Sequence, residues 1–445
     1  YNYLDKYLLE VNGRYDGSSK FPKSSRFGFF PSVSAGWQIA QERFMNSTRH
    51  WLDGLKLRAS YGVIGNQNIN PYTFTPSMSV NNKATSWIID DTYVTSISSL
   101  PALVSQNFTW EKVGTINVGL DVNLFNNRLS GVFEWYQRNT NGMLAPGVQL
   151  PAVVGASAPY QNTADMRTRG WELSLNWRDQ IGKVGYRIGF NLSDYKSEII
   201  KYDDNAATKL LSSYYPGQTL GEIWGYVVDG YYTVDDFVDT SSCQLKEGVT
   251  SINGYNVRPG DVKFKNLRDD DTSTNVITSG DNTFDNPGDR KVIGNTTPRY
   301  QYGINLGMNY AGFDLNVILQ GTGKRDYWIS NVLTFPMNGD NFVPLFEGLS
   351  DYWMPKDPDN GDWSAVNPNA KYPRIYGNRG NSGSNLRQSD KYLSDASYLR
   401  IKNITLSYKL PKKWVNQIFL NQMKAFVSIE NVATFTSLPS GIDPE

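Results

Sequence analysis

TRGWELSLNWRDQIGKVGYRIGFNLSDY, residues 168–195, decides how the rest of the chain is read. Trp171, Leu173, Leu175 and Trp177 are apolar at every second position, with Glu172, Ser174, Asn176 and Arg178 between them. After a short turn at 180–183, Tyr186, Ile188, Phe190 and Leu192 alternate with Arg187, Gly189, Asn191 and Ser193. Side chains leave a strand on opposite faces in turn. A period of two over two long segments joined by a tight turn therefore predicts a β-hairpin with one apolar and one polar face. Soluble sandwiches use strands of about five residues and mostly aliphatic inner faces. Strands of roughly ten or more residues, aromatic at the ends of the apolar side, suit a membrane barrel with lipid outside and water inside.

Composition narrows the alternatives. The 445 residues carry 43 basic and 43 acidic side chains without charge blocks, so a nucleic-acid partner is not expected. Mean hydropathy is −0.47, and no apolar run reaches the ~18 residues of a membrane helix. A barrel strand hides half its side chains from lipid, so its mean hydropathy resembles that of a soluble protein. The 28 Tyr and 12 Trp match interfacial girdles and loops that bind sugars or peptides, though a Tyr-rich soluble β-protein would show the same. Cys243 and His50 are each the sole residue of their kind. This excludes an internal disulfide, zinc sites built on Cys and His, and triads needing a further histidine. His50 reads as a turn residue and Cys243 as an inert loop thiol. The chain starts mid-strand at Tyr1 and stops at Glu445, so a targeting segment is expected outside it.

The same alternation recurs along the chain. Leu9, Val11, Gly13 and Tyr15 oppose Glu10, Asn12 and Arg14; Val33, Ala35 and Trp37 oppose Ser34, Gly36 and Gln38. Leu55, Leu57 and Ala59 oppose Lys56, Arg58 and Ser60, after a stretch at 41–53 that reads as one or two helical turns. Ile116, Val118, Leu120 and Val122 form the clearest strand, turned at Asn126-Asn127 because Asn tolerates positive φ, and Phe133 and Trp135 come back opposed by Glu134. About eleven strands are expected, near 1–14, 26–38, 54–64, 110–124, 128–139, 168–178, 184–197, 299–310, 313–321, 397–410 and 423–434. Brief turns follow 38, 124, 178, 310 and 410; long loops follow 14, 64, 139, 197 and 321. Strict alternation puts every long loop at one end, as in outer-membrane barrels with long extracellular loops and short periplasmic turns. An eleven-residue strand extends roughly 36 Å and, tilted near 45°, covers about 25 Å of height. Free sheet edges are too costly in lipid, so the strands belong to a larger closed antiparallel barrel, and the odd count calls for one more descending strand.

Several segments resemble the C-terminal half of SusC/RagA-type TonB-dependent transporters of Bacteroidetes outer membranes. They are KYLLEVNGRYDGSSKF (6–21), FPSVSAGW (30–37), LKLRASYGVIGN (55–66), TRGWELSL (168–175), GDVKFKN (260–266), VIGNTTPRYQYG (292–303), SYLRIKNITLSYKLP (397–411) and GIDPE (441–445). They occur in family order and span nearly the whole chain. The resemblance implies an all-β fold, part of a 22-stranded transmembrane antiparallel barrel of which residues 1–445 are the C-terminal portion. The plug, the TonB box and the last strand would lie outside this sequence. It also implies a SusD-like lipoprotein capping the loop side, coupling to TonB-ExbB-ExbD, and import of oligosaccharides or oligopeptides rather than catalysis. Related chains often carry a calcium-like Asp-rich loop after the GDVKFKN position. Here Asn266 replaces the first acid and the glycines are gone, so Asp269, Asp270 and Asp271 read as a solvated loop, with calcium the weak alternative and no other cofactor expected.

Three groups of residues follow as candidates. Glu10, Arg14, Lys56, Arg58, Glu134, Glu172, Arg178 and Arg187 face the lumen and either line a translocation route or pair with one another and with a plug. Trp37, Trp135, Trp171 and Trp177 read as lipid-interface anchors. The loop aromatics Tyr214, Tyr215, Trp224, Tyr327, Trp328, Trp353 and Trp363 offer flat rings to sugar faces or peptide side chains; their structural alternative is small loop cores. Two other functions compete with the importer: a siderophore or vitamin receptor without a lid lipoprotein, and a soluble glycan-binding β-protein.

Overall fold

The computed structural model describes residues 1–78, 80–81, 88–89, 92–93, 97–98, 103–105, 108–148, 150–155, 158–205, 208–210, 214–268, 275–329, 345–376 and 383–445. Its backbone is one sheet of twelve strands, all antiparallel, whose neighbours in space are neighbours in the chain. The strands are β1 (Asn2–Tyr3), β2 (Tyr7–Gly17), β3 (Phe27–Gln38), β4 (Leu52–Asn66), β5 (Glu111–Leu124) and β6 (Leu129–Pro146). They continue with β7 (Tyr160–Ile181), β8 (Val184–Tyr202), β9 (Arg299–Tyr310), β10 (Phe313–Lys324), β11 (Tyr398–Lys409) and β12 (Lys424–Thr436).

The register lines up the apolar positions across the whole sheet. Leu57, Leu120, Phe133, Leu173, Leu192 and Tyr302 are successive cross-strand partners from β4 to β9. Ile188, Leu306, Val317, Ile404 and Ile429 continue the face to β12. A one-residue slip anywhere would throw half of these side chains onto the polar face, so the alternation itself fixes the pairing. No second sheet covers them among the described residues: Val11 is 71 % exposed, Phe133 45 % and Ile429 55 %.

Three details depart from the expected strands. The first segment breaks into β1 and β2, because Leu4 and Asp5 take positive φ in a tight turn held by Asn2, whose Oδ1 accepts from the Asp5 N–H at 3.0 Å. The connection at 39–51 holds the expected helical turns, at Ile39–Gln41 and Arg43–Thr48, but the one at 410–423, expected as a plain turn, also holds one at Lys412–Val415. Strands β6, β7 and β8 run well past their expected loop-side ends. Beyond Trp135 and Trp171 the next outward pair is Gln137 and Arg169, hydrogen-bonded at 2.7 Å. There both faces are polar, so the backbone stays paired while the period-two signal disappears.

The true cores lie in the loops. Residues 203–298 bury Tyr226, Tyr232, Phe237, Ile252, Val262, Phe264 and Ile277 together. Leu349, Tyr372 and Tyr392 form a second cluster in the β10–β11 loop. A third, Phe21, Phe30, Phe108 and Trp110, sits where the β2–β3 and β4–β5 loops meet the sheet.

Candidate functional site

On the polar face the arginines lie flat against the wall. Arg58 on β4 reaches across β5 to Glu134 on β6, and its Nε donates to Asp121 at 3.0 Å. It passes directly over Gly119, where a Cβ would lie 2.7 Å from the Arg58 Cζ. Arg187 on β8 likewise crosses Gly307 of β9 to reach Asn316 at 3.3 Å and Asp314 at 3.7 Å on β10. A side chain larger than glycine at either crossing would lift the guanidinium off the wall. Arg14 pairs with Asp16 at 2.6 Å, Glu10 accepts from Asn12 at 2.9 Å, and the Arg178 Nε donates to the Asn127 carbonyl at 3.3 Å. Lys56 and Glu172 make no ion pair among the described residues. A hollow of about 520 Å³ on this face is lined by Glu10, Ser34, Lys56, Arg58, Ser60 and Asn117.

The four candidate anchors all lie on the apolar face. Trp135 and Trp171 are cross-strand partners at the loop-side limit of the apolar band. Trp177 sits near the short-turn end, its Nε1 3.3 Å from the Tyr186 hydroxyl and its ring 6.3 Å from Phe125. The Trp37 Nε1 donates to Glu42 at 3.2 Å.

The loop aromatics divide. Tyr215 is buried, its hydroxyl donating to Glu222 and accepting from the Trp224 Nε1 at 3.0 Å. Burial, and then the bond to Glu222, push that hydroxyl well above the usual tyrosine range. Trp353 is buried against Gly260, and Trp363 is buried with the Arg374 guanidinium 4.7 Å from its ring centre. Trp328 is half-buried against the Leu349 cluster. These five rings are structural members of loop cores, whereas Tyr214 and Tyr327 keep about half of their surface open. The residues Asp269, Asp270 and Asp271 lie outside the described residues. His50 is exposed, with its Nδ1 3.0 Å from the Ser47 carbonyl, and Cys243 is half-buried in a turn.

One polar centre escaped the sequence. Asp261 of the GDVKFKN segment is 1 % exposed. It accepts from the Arg258 N–H at 2.8 Å, the Tyr376 hydroxyl at 2.5 Å and the Asn385 Nδ2 at 2.9 Å, and the Asn385 Oδ1 accepts from the Val262 N–H at 2.8 Å. Burial raises its carboxyl above the usual range despite these donors. The node ties the β8–β9 loop to the β10–β11 loop; Tyr226 pairs beside Ser389, and its N–H donates to the Gln388 carbonyl at 2.9 Å. A second such point is Arg400 on β11, which holds Asp443 and Glu445 at 2.5 Å and folds the GIDPE segment back over the polar face. Partners this far apart in sequence leave no periodic signal.

Comparison with known proteins gives a consistent family. A model described as TonB dependent receptor-like, beta-barrel matches residues 1–432. TonB-dependent receptor P3 of Formosa agariphila is 30 % identical over 463 residues, covering 100 % of this chain and 41 % of that protein. TonB-dependent receptor SusC of Bacteroides thetaiotaomicron is 26 % identical over 456 residues, covering 100 % and 40 %. Among solved structures, the RagAB peptide importer in its closed-closed state superposes with a TM-score of 0.73 at 23 % identity, over 99 % of this chain and 43 % of that one. The chain thus spans about two fifths of the length of the curated relatives it matches.

Proposed function

Because the chain belongs to the TonB-dependent receptor-like β-barrel family, we propose that it is the C-terminal portion of the barrel of an outer-membrane importer. The importer takes up large nutrients, oligosaccharides or oligopeptides, with energy delivered through TonB and a SusD-like lipoprotein over the loop end. The carrying observation is the uninterrupted apolar face: side chains such as Val11, Phe133 and Ile429 are left open across all the long strands. Side chains of that kind belong in lipid, and a barrel is the β-structure that satisfies its backbone there. Flat-lying arginines such as Arg58 and Arg187 support a lumen kept clear for a large solute. Trp37, Trp135, Trp171 and Trp177 serve as interface anchors in this reading, with Tyr214 and Tyr327 as the rings left open to a ligand.

The experiment is purification of the full-length protein in mild detergent, followed by mass spectrometry of what accompanies it. A surface lipoprotein in stoichiometric amount and a bound glycan or peptide support the proposal. A barrel that purifies without a lipoprotein and binds an iron chelate or vitamin points to the receptor alternative. Recovery in the aqueous fraction without detergent refutes the membrane reading altogether.

A further inference from the structure

The two ends of the sheet differ in charge. The short-turn end is built from residues 4–6, 39–51, 125–128, 182–183, 311–312 and 410–423. These hold Lys6, Arg43, Arg49, Arg128, Lys183, Lys412 and Lys413 against two acids, Asp5 and Glu42, in a chain that is neutral overall. Glu42 is taken by Lys6 at 3.2 Å and Arg128 by Asp179 at 3.2 Å; among the described residues the other five cations make no ion pair. At the other end, residues 203–298 carry fifteen acidic against eight basic side chains.

The two larger short-end connections also present bare rings. Phe44 is 65 % exposed, Trp414 58 % and Phe419 98 %. Phe419 holds φ at +61°, a left-handed conformation that a bulky side chain adopts only under constraint. A strained and fully open phenylalanine, in the same connection as Lys412 and Lys413, is costly in water and calls for something to cover it. The connection at 410–423 continues the apolar band directly, since the pairs Tyr408 with Ala425 and Leu406 with the 68 % exposed Val427 are the first on that face. Aromatic rings settle at the headgroup level, and cations there are drawn to anionic lipid, at roughly fivefold in affinity per charge at low salt.

We propose that residues 39–51 and 410–423 form a collar that binds anionic phospholipid in the leaflet next to the short turns. Arg43, Arg49, Lys412 and Lys413 hold headgroup phosphates, while Phe44, Trp414 and Phe419 sit between the headgroups. The collar rests on the membrane reading of the apolar face and adds to it a choice of lipid.

The test uses the full-length protein in nanodiscs of equal phosphatidylcholine and phosphatidylglycerol. The lipid that stays bound after re-extraction into detergent is counted by mass spectrometry. The wild type is expected to retain phosphatidylglycerol preferentially. The combined variant Arg43→Gln, Arg49→Gln, Lys412→Gln, Lys413→Gln should lose about tenfold or more of that preference, as should the wild type at high salt. Lys412→Arg with Lys413→Arg keeps it, which separates charge from misfolding, and Phe419→Ser lowers retention of both lipids. Equal retention of the two lipids by the wild type overturns the collar. So does an unchanged preference in the four-site variant, or capture of a soluble acidic protein with no lipid preference. Failure of the wild type to enter discs at all is a different result: it removes the membrane reading first, and the collar with it.

Discussion

The sheet and the loops treat the same kinds of residue in opposite ways. On the apolar face of the sheet, Val11, Phe133 and Val427 are left open. In the loop at 203–298, Tyr232, Val262, Phe264 and Ile277 are sealed to zero exposure, in a segment rich in Gly, Asp and Asn. One chain is therefore written for two solvents. On the proposed membrane reading, apolar side chains of the sheet are stabilised by lipid, whereas those of the loops are stabilised by one another. Only the second set forms a core in the ordinary sense, with interlocking contacts that punish any lost volume.

Substitutions can break or sharpen that contrast. The largest effect is expected at Phe264, fully buried in the loop cluster: Phe264→Ala should cost about 3–5 kcal/mol. It should appear as faster proteolysis of the loops while the heat-modifiable gel mobility of the barrel persists. Loss of both together would mean that sheet and loops are one cooperative unit. Next is Leu175→Arg, at about 2–4 kcal/mol if Leu175 meets mid-bilayer lipid, measured by urea unfolding in liposomes. Its neighbour Asn176→Arg, on the polar face, should cost much less, and equal tolerance of the two would refute the facing assignment.

Asp261 gives a smaller but distinctive effect. Its carboxyl is raised above the unfolded value, so protonation is favoured by folding. The stability this contributes is full below the unfolded pKa of about 3.9 and is lost as pH rises through the raised folded value. Acidification through the folded value toward the unfolded one should therefore tighten the loop unit, read as slower loop proteolysis with an acid-stable protease. Asp261→Asn should flatten this pH dependence and cost about 1–3 kcal/mol through the mismatched Asn385 amide. The smallest change is expected from Arg58→Ala, at about 1 kcal/mol or less by thermal unfolding, since its ion pairs are about 30 % exposed.

What could be read in advance follows from the same division. Strands declare themselves where one face is apolar and the other polar, so TRGWELSLNW reads clearly. The loop-side halves of β6 to β8, wet on both sides, do not. The turn at Phe125, Asn126 and Asn127, all with φ near +58°, was legible at its two asparagines but not at its phenylalanine. The loop aromatics could be found by composition but not sorted. Whether Trp353 or Tyr327 stays open depends on how segments about a hundred residues apart pack, as Asp261 does with Tyr376 and Asn385. The arginine crossings at Gly119 and Gly307 were equally hidden, because they join three strands at one register.

The chain-order pairing of the sheet has a consequence for how the protein is made. Four hairpins, β1–β2, β5–β6, β7–β8 and β9–β10, close over a few residues and can zip locally. The two longest junctions, β8 to β9 and β10 to β11, must instead bring together ends separated by residues 203–298 and 325–397. The entropy of closing a flexible loop grows only as about 1.5RT times the logarithm of its length, but the search for register slows with such non-local contacts. Prior collapse of the 203–298 cluster shortens the effective tether before β9 seeks β8. A lesion such as Phe264→Ala should then slow assembly of the barrel at that one seam, in addition to loosening the loop it lies in.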